Sequence, residues 1–319
     1  MNTTISARSS ARLRNPVLIL ALHALLFSSC AFKNYRAPIT GFQTASNRVI
    51  LATKSYYELA NKVERDHLVD DQLATQETID PQKLRTAGET FRSEDIAVRL
   101  DALGVLSDYG ALLLQLATSD APQDVTTQVT ALNTSVGALS DRLTRLCTDC
   151  TAANNKFKAG FGAVASAIKP ILDTFVRSKI QKGLDSSIQN AEKPISDLTT
   201  LLREDLHGLY ERRKQAVGQA LSDAIRSYND EVKKGTAASP ERLQTLARQV
   251  KLAADRVAEL PNASPDPALA AMDKAHRALV TFAKNKKSVQ TLADLSDAVD
   301  AFAVQAQQVG QAIRTLATL

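Results

Sequence analysis

Tryptophan is absent from this 319-residue chain, and aromatic residues make up only 5% of it, which weakens any case for an aromatic-rich binding surface. Glycine (12) and proline (10) are sparse, so a turn-dense β-protein is disfavoured. With two methionines and no histidine-rich tract, a copper or nickel carrier is disfavoured too. No H-E-x-x-H, Walker loop, G-x-S-x-G or kinase signature occurs. What is present is 44% hydrophobic residues, enough for a sizeable core and too many for a disordered chain.

Positive charge exceeds negative, 39 Lys+Arg against 34 Asp+Glu, which raises the question of nucleic acid. The distribution answers against it. Three of the cations, Arg8, Arg12 and Arg14, lie in the first fifteen residues, which hold no acid. Residues 37–150 carry 10 bases and 16 acids, and residues 151–319 carry 24 and 18. The two parts therefore offset each other, which could serve their docking or mark different partner faces. The densest basic cluster, Lys284, Lys286 and Lys287, has no interleaved aromatics, so no nucleic-acid partner is expected.

The first thirty residues read as an export signal. The three arginines form a basic start, Pro16 to Phe27 is a short apolar stretch broken only by His23, and Ser28 and Ser29 precede Cys30. That stretch is too short to span a bilayer, which needs about 20 residues. Leu26-Phe27-Ser28-Ser29-Cys30 resembles the lipobox of bacterial lipoproteins. Phe27 stands where an aliphatic residue is usual. The resemblance covers residues 1–30. It implies acylation of Cys30, cleavage before it, and anchoring of the mature chain in a membrane. Ala31 in place of an aspartate after the cysteine implies, in enteric-type bacteria, the inner leaflet of the outer membrane, facing the periplasm. The organisation expected is a cleaved signal (1–29), a lipidated tether (30–38) and a helical body (39–319), with possible sub-bundles 39–150 and 151–319.

Cys147 and Cys150 form a C-T-D-C pair. In an oxidising compartment a local disulfide is the default expectation. A redox pair would need a thioredoxin-like βαβ setting, and zinc would need two more ligands; both alternatives stay open.

Hydrophobic spacing sets the fold class. Phe42, Ala45, Val49, Ala52, Tyr56, Leu59 and Val63 recur at intervals of three and four. The same spacing links Val125 to Leu146, Leu243 to Leu260 and Leu292 to Leu316. Each run puts an apolar seam on one helix face. Caps agree: Ser93 before Glu94 and Asp95, Ser239-Pro240-Glu241, Asp266-Pro267, and Lys233-Lys234-Gly235 at a C-terminus. The expectation is an all-α, elongated antiparallel bundle of about eight helices with long coiled-coil-like seams. The helices fall near 39–76, 93–118, 122–147, 151–189, 193–234, 239–260, 265–285 and 288–318. Pro170 is expected to kink the fourth. Residues 77–92, with Pro81 and Gly88, read as the longest internal loop. Gly160 and Gly162 read as small residues allowing close helix contact, since no strand precedes them as a dinucleotide motif requires.

Each histidine beyond the signal has an acid three residues earlier: Glu64 and His67, Glu204 and His207, Asp273 and His276. On a helix such pairs share a face. Glu-x-x-His on paired helices is the ligand pattern of ferritin-like di-iron bundles. The same spacing is also an ordinary helix contact, and no further glutamate projects clearly from a seam. His276 aligns with Leu269, Met272 and Leu279, so it is expected to face inward, whereas His207 has no clear face. No metal, other cofactor or catalytic residue is expected from these pairs. The function expected is a non-catalytic, lipid-anchored binding or scaffold module for another envelope protein. An immunity or inhibitor lipoprotein against a periplasmic effector is the alternative, and a metal-dependent helical enzyme is the more remote one.

Overall fold

The computed structural model describes residues 35–59, 65, 68–69, 72, 78–86, 93–118, 122–145, 155, 158–160, 162, 180–285 and 288–318. Among them there is no strand, and the chain is an all-α bundle. The helices are α1 (35–59), α2 (Pro81–Thr86), α3 (Ser93–Thr118), α4 (Pro122–Arg145), α5 (Ile180–Asn190), α6 (Glu192–Val232), α7 (Pro240–Glu259), α8 (Asp266–Lys284) and α9 (Val289–Thr318). Two short 3₁₀ turns, Gly235–Ala237 and Leu260–Ala263, flank α7. No described helix is long and apolar enough to cross a membrane.

Side-chain pairs give the directions. Asp101 of α3 pairs with Arg142 of α4, and Asp108 with Ser135, so these two helices are antiparallel. Arg203, Ser196 and Glu192 of α6 meet Asp266, Arg277 and Lys284 of α8 in reverse order. The 41 residues of α6 reach about 60 Å at 1.5 Å per residue. Among the described residues no single neighbour matches that length. Instead α7 descends beside the C-terminal half of α6, turns through Leu260–Ala263, and α8 continues beside the N-terminal half.

Alpha-1 runs parallel to α9: a Cβ added at Gly41 would lie 2.7 Å from Val299 Cγ1, and Phe42 rests on Phe302 with ring centroids 5.8 Å apart. Buried apolar residues of α1, α3, α4, α5, α6, α8 and α9 form one contiguous cluster. On α6 the buried seam runs Leu198, Leu202, Leu206, Leu209, Arg213, Val217 and then stops, apart from Glu231. On α7 only Leu246 and Ala253 are buried. Among the described residues the distal part of the α6–α7 hairpin is therefore a two-helix arm, with Ile225, Val232 and Leu252 exposed on it.

Helix ends follow local chemistry. Ser239 caps α7, its hydroxyl accepting from the Arg242 amide at 3.3 Å, with Pro240 following at the first helical position. Gly235 takes φ +57°, which a side chain would disfavour, and turns the chain after α6. The buried Glu231 carboxylate ties that turn, accepting from Lys234 Nζ (2.7 Å) and the Ser239 amide (3.2 Å) and facing Arg242 at 3.1 Å. The Lys234 hydrogen bond holds its pKa below the usual carboxylate value.

Three expectations are corrected. Residues 35–38, assigned to a tether, are already helical, because Tyr35 and Pro38 are buried against the bundle. The stretch expected as a loop over 77–92 contains α2, opened by Pro81, with the Asp80 side chain accepting from the Gln82 amide at 2.8 Å. Asp266 is the first residue of α8 rather than its cap; Ser264 Oγ accepts from its amide at 3.4 Å. Val63, Leu146, the expected kink at Pro170 and most of the helix expected over 151–189 lie outside the described residues. Gly160 is described, and a Cβ there would come within 2.5 Å of Leu201 Cδ2, in keeping with close helix contact.

Candidate functional site

Two polar arrangements stand out. The first is a chain of polar groups buried where helices meet. Arg99 of α3 is 2% exposed and grips Asp205 of α6 through both oxygens, Nε to Oδ2 at 2.7 Å and Nη2 to Oδ1 at 2.5 Å. Tyr57 of α1 donates to the same Oδ2 at 2.8 Å. Burial alone would lower the Arg99 pKa, but the Asp205 carboxylate more than offsets it and holds the guanidinium charged. Three helices are thus clamped by one carboxylate.

Farther along α3, Tyr109 OH lies 2.8 Å from His276 Nε2 of α8. The histidine is fully buried, as its seam position implies, and burial lowers its pKa to about 4. Among the described residues its Nδ1 has no hydrogen-bond partner. Tyr35 donates to Asp185 of α5 at 2.6 Å. The Arg213 guanidinium sits over the Tyr56 ring, 5.1 Å from its centroid, with Nε and Nη1 buried and without a hydrogen-bond partner among the described residues. Burial lowers the Arg213 pKa, and Tyr56 partly opposes that.

The Tyr109 hydroxyl and the His276 imidazole are both buried, and the groups described join helices to one another. Among the described residues no three His, Cys, Asp or Glu side chains gather as metal ligands. Glu204 and His207 are exposed on α6. Asp273 on α8 pairs with Arg277 at 2.6 Å, one turn from the buried His276. Glu64, His67, Cys30, Cys147 and Cys150 lie outside the described residues.

The second arrangement is a surface groove of about 490 Å³ between α1 and α9. Its floor is Ala52, Ala306 and Ile313, all buried; its rim carries Leu51, which is 65% exposed. Arg48 and Arg314 stand beside it, and neither forms an ion pair with a described residue. Gly310 opens the α9 wall, since a Cβ there would meet only Arg314 Nη1, at 3.6 Å.

Sequence reasoning missed both arrangements. For the buried one a signal existed: Asp95, Arg99, Ala102, Leu106, Tyr109 and Leu113 keep the 4-3 spacing of a seam, so Arg99 falls where an apolar residue belongs. Arg213 interrupts the seam of α6 in the same way. For the groove no local signal exists, because it depends on which two helices lie side by side.

The chain matches no protein-family model, and no curated protein or solved structure matches it significantly.

Proposed function

We propose that this chain is a lipid-anchored protein of the bacterial envelope that acts as a non-catalytic helical binding or scaffold module. The observation that carries the reading is Leu26-Phe27-Ser28-Ser29-Cys30 behind a basic start and a short apolar stretch. Acylation of Cys30 with two or more chains would hold the chain stably at a membrane, where one chain would not. An all-α body with an open groove and a projecting hairpin suits binding, and its buried polar groups join helices to one another. Cys147 and Cys150, three residues apart in an exported chain, are proposed to form a local disulfide.

Membrane fractionation of Cys30→Ala tests the anchor. The variant should move to the soluble fraction, and unchanged membrane association would remove the lipid from the proposal. Cross-linking in native envelopes should recover a reproducible protein partner; its absence would count against a binding module.

A further inference from the structure

We propose that the groove between α1 and α9 docks an acidic, amphipathic peptide segment of a partner protein. Its carboxylates pair with Arg48 and Arg314, and an apolar side chain between them settles on Ala52 and Ile313. This rests on the reading of the chain as a binding module and names the partner chemistry.

Charge is the first argument. From Ala31 to Tyr57 the chain has no acid, and α9 has none after Asp300. Among the described residues the walls of the groove therefore carry cations only, Arg48 and Arg314, with no carboxylate along them of the kind that Arg99, Arg142 and Arg203 meet elsewhere. Field of one sign over a concave, partly apolar surface favours an anionic occupant.

Shape is the second. The α9 wall runs from Ala306 to Arg314, about 12 Å at 1.5 Å per residue, and is met by Arg48 to Ser55 of the parallel α1. That length takes about two helical turns of a partner. An open groove would leave a small molecule largely wet, whereas ligand pockets bury most of their ligand. A flat membrane would reach the protruding Leu51 but not the buried floor residues Ala52 and Ile313. The amides of Gln307 and Gln311 can serve the polar edge of a peptide.

Gly310 is the third. Glycine inside a helix costs up to about 1 kcal/mol relative to alanine, and no neighbouring element crowds this one. What its missing Cβ provides is depth in the groove.

The test is panning a random dodecapeptide phage library on the full chain in detergent. Selected peptides are then synthesised and titrated by fluorescence anisotropy. Peptides in which two Asp or Glu bracket Leu, Ile, Met or Phe are expected. Their affinity should fall about tenfold or more in Arg48→Gln/Arg314→Gln, and also when salt rises from about 0.1 to about 0.5 M. Gly310→Leu should weaken them with both arginines intact, and circular dichroism checks that each variant is folded. Acidic peptides indifferent to all three substitutions would overturn the groove while leaving a binding module. No enrichment at all would overturn both. Co-sedimentation with anionic vesicles that is lost in the arginine variant, without peptide binding, would assign the face to a membrane and overturn the peptide.

Discussion

Tyr109 and His276, 167 residues apart in sequence, meet through a 2.8 Å hydrogen bond in the middle of the bundle. The imidazole is fully buried, touches the Tyr109 ring at 5.5 Å between centroids and lies 6.2 Å from that of Phe42. One hydrogen bond therefore ties α3 to α8 in a place that cannot hydrate a charge. Burial lowers the His276 pKa to about 4; Asp273 and Glu192 favour its charged form, and Arg277 opposes it.

That arrangement predicts acid sensitivity. An unfolded histidine titrates near 6.5, so between about pH 6.5 and pH 4 the unfolded chain holds more protons at this position than the folded one. Stability from this group is complete above about pH 6.5 and falls as pH drops through that window, by about 3 kcal/mol at its lower end. Urea unfolding of His276→Gln, which cannot titrate, should show a shallower loss between pH 7 and pH 4.5 than the parent chain. Equal slopes would mean that other groups govern acid unfolding.

Asp205 should be far more sensitive than its count of bonds suggests. Asp205→Ala leaves Arg99 charged, buried and without its carboxylate, at a cost of about 3–5 kcal/mol. Removing both charges, as Arg99→Met with Asp205→Leu, should cost less than Asp205→Ala alone, because the guanidinium is then not left buried without its carboxylate. Chemical denaturation of the single and double variants measures the difference. A double variant worse than the single would mean that the pair stabilises the fold beyond what apolar packing can replace.

Two glycines should respond in opposite directions. Gly41→Ala places a methyl 2.7 Å from Val299 Cγ1 and must displace that side chain or α1 itself, so thermal stability should fall. Gly310→Ala meets only the end of Arg314, at 3.6 Å, and should gain up to about 1 kcal/mol of helix stability. Melting temperatures of the two variants, measured side by side, check the contrast in packing that the groove reading requires.

Ser239→Ala should cost about 1 kcal/mol by leaving the Arg242 amide without its cap. The loss should be felt most in the α6–α7 hairpin, where Glu231 also hydrogen-bonds the Ser239 amide. Hydrogen exchange in the first turn of α7 should accelerate more than exchange in the α3 core.

Helix positions were readable because they are local. The 3-4 spacing of apolar residues, the Ser239-Pro240 cap and the scarcity of glycine place helices over 93–118, 193–234 and 288–318, against the observed Ser93–Thr118, Glu192–Val232 and Val289–Thr318. His276 was readable as inward from its line with Met272 and Leu279. The misreadings arose where tertiary contacts override local signals. Tyr35 and Pro38 are held in helix by burial, and Pro81 opens a helix in a stretch rich in loop formers.

The sequence by itself determined the helical class, its seams and the lipobox-like start, since each depends on residues within a few turns of one another. Only the tertiary structure decided that Arg99 would reach Asp205 and Tyr57, and that α7 and α8 would share the length of α6. It alone laid an acid-free face of α1 along an acid-free stretch of α9. Those outcomes depend on which seams face one another, and apolar seams of similar spacing carry little information about their partners.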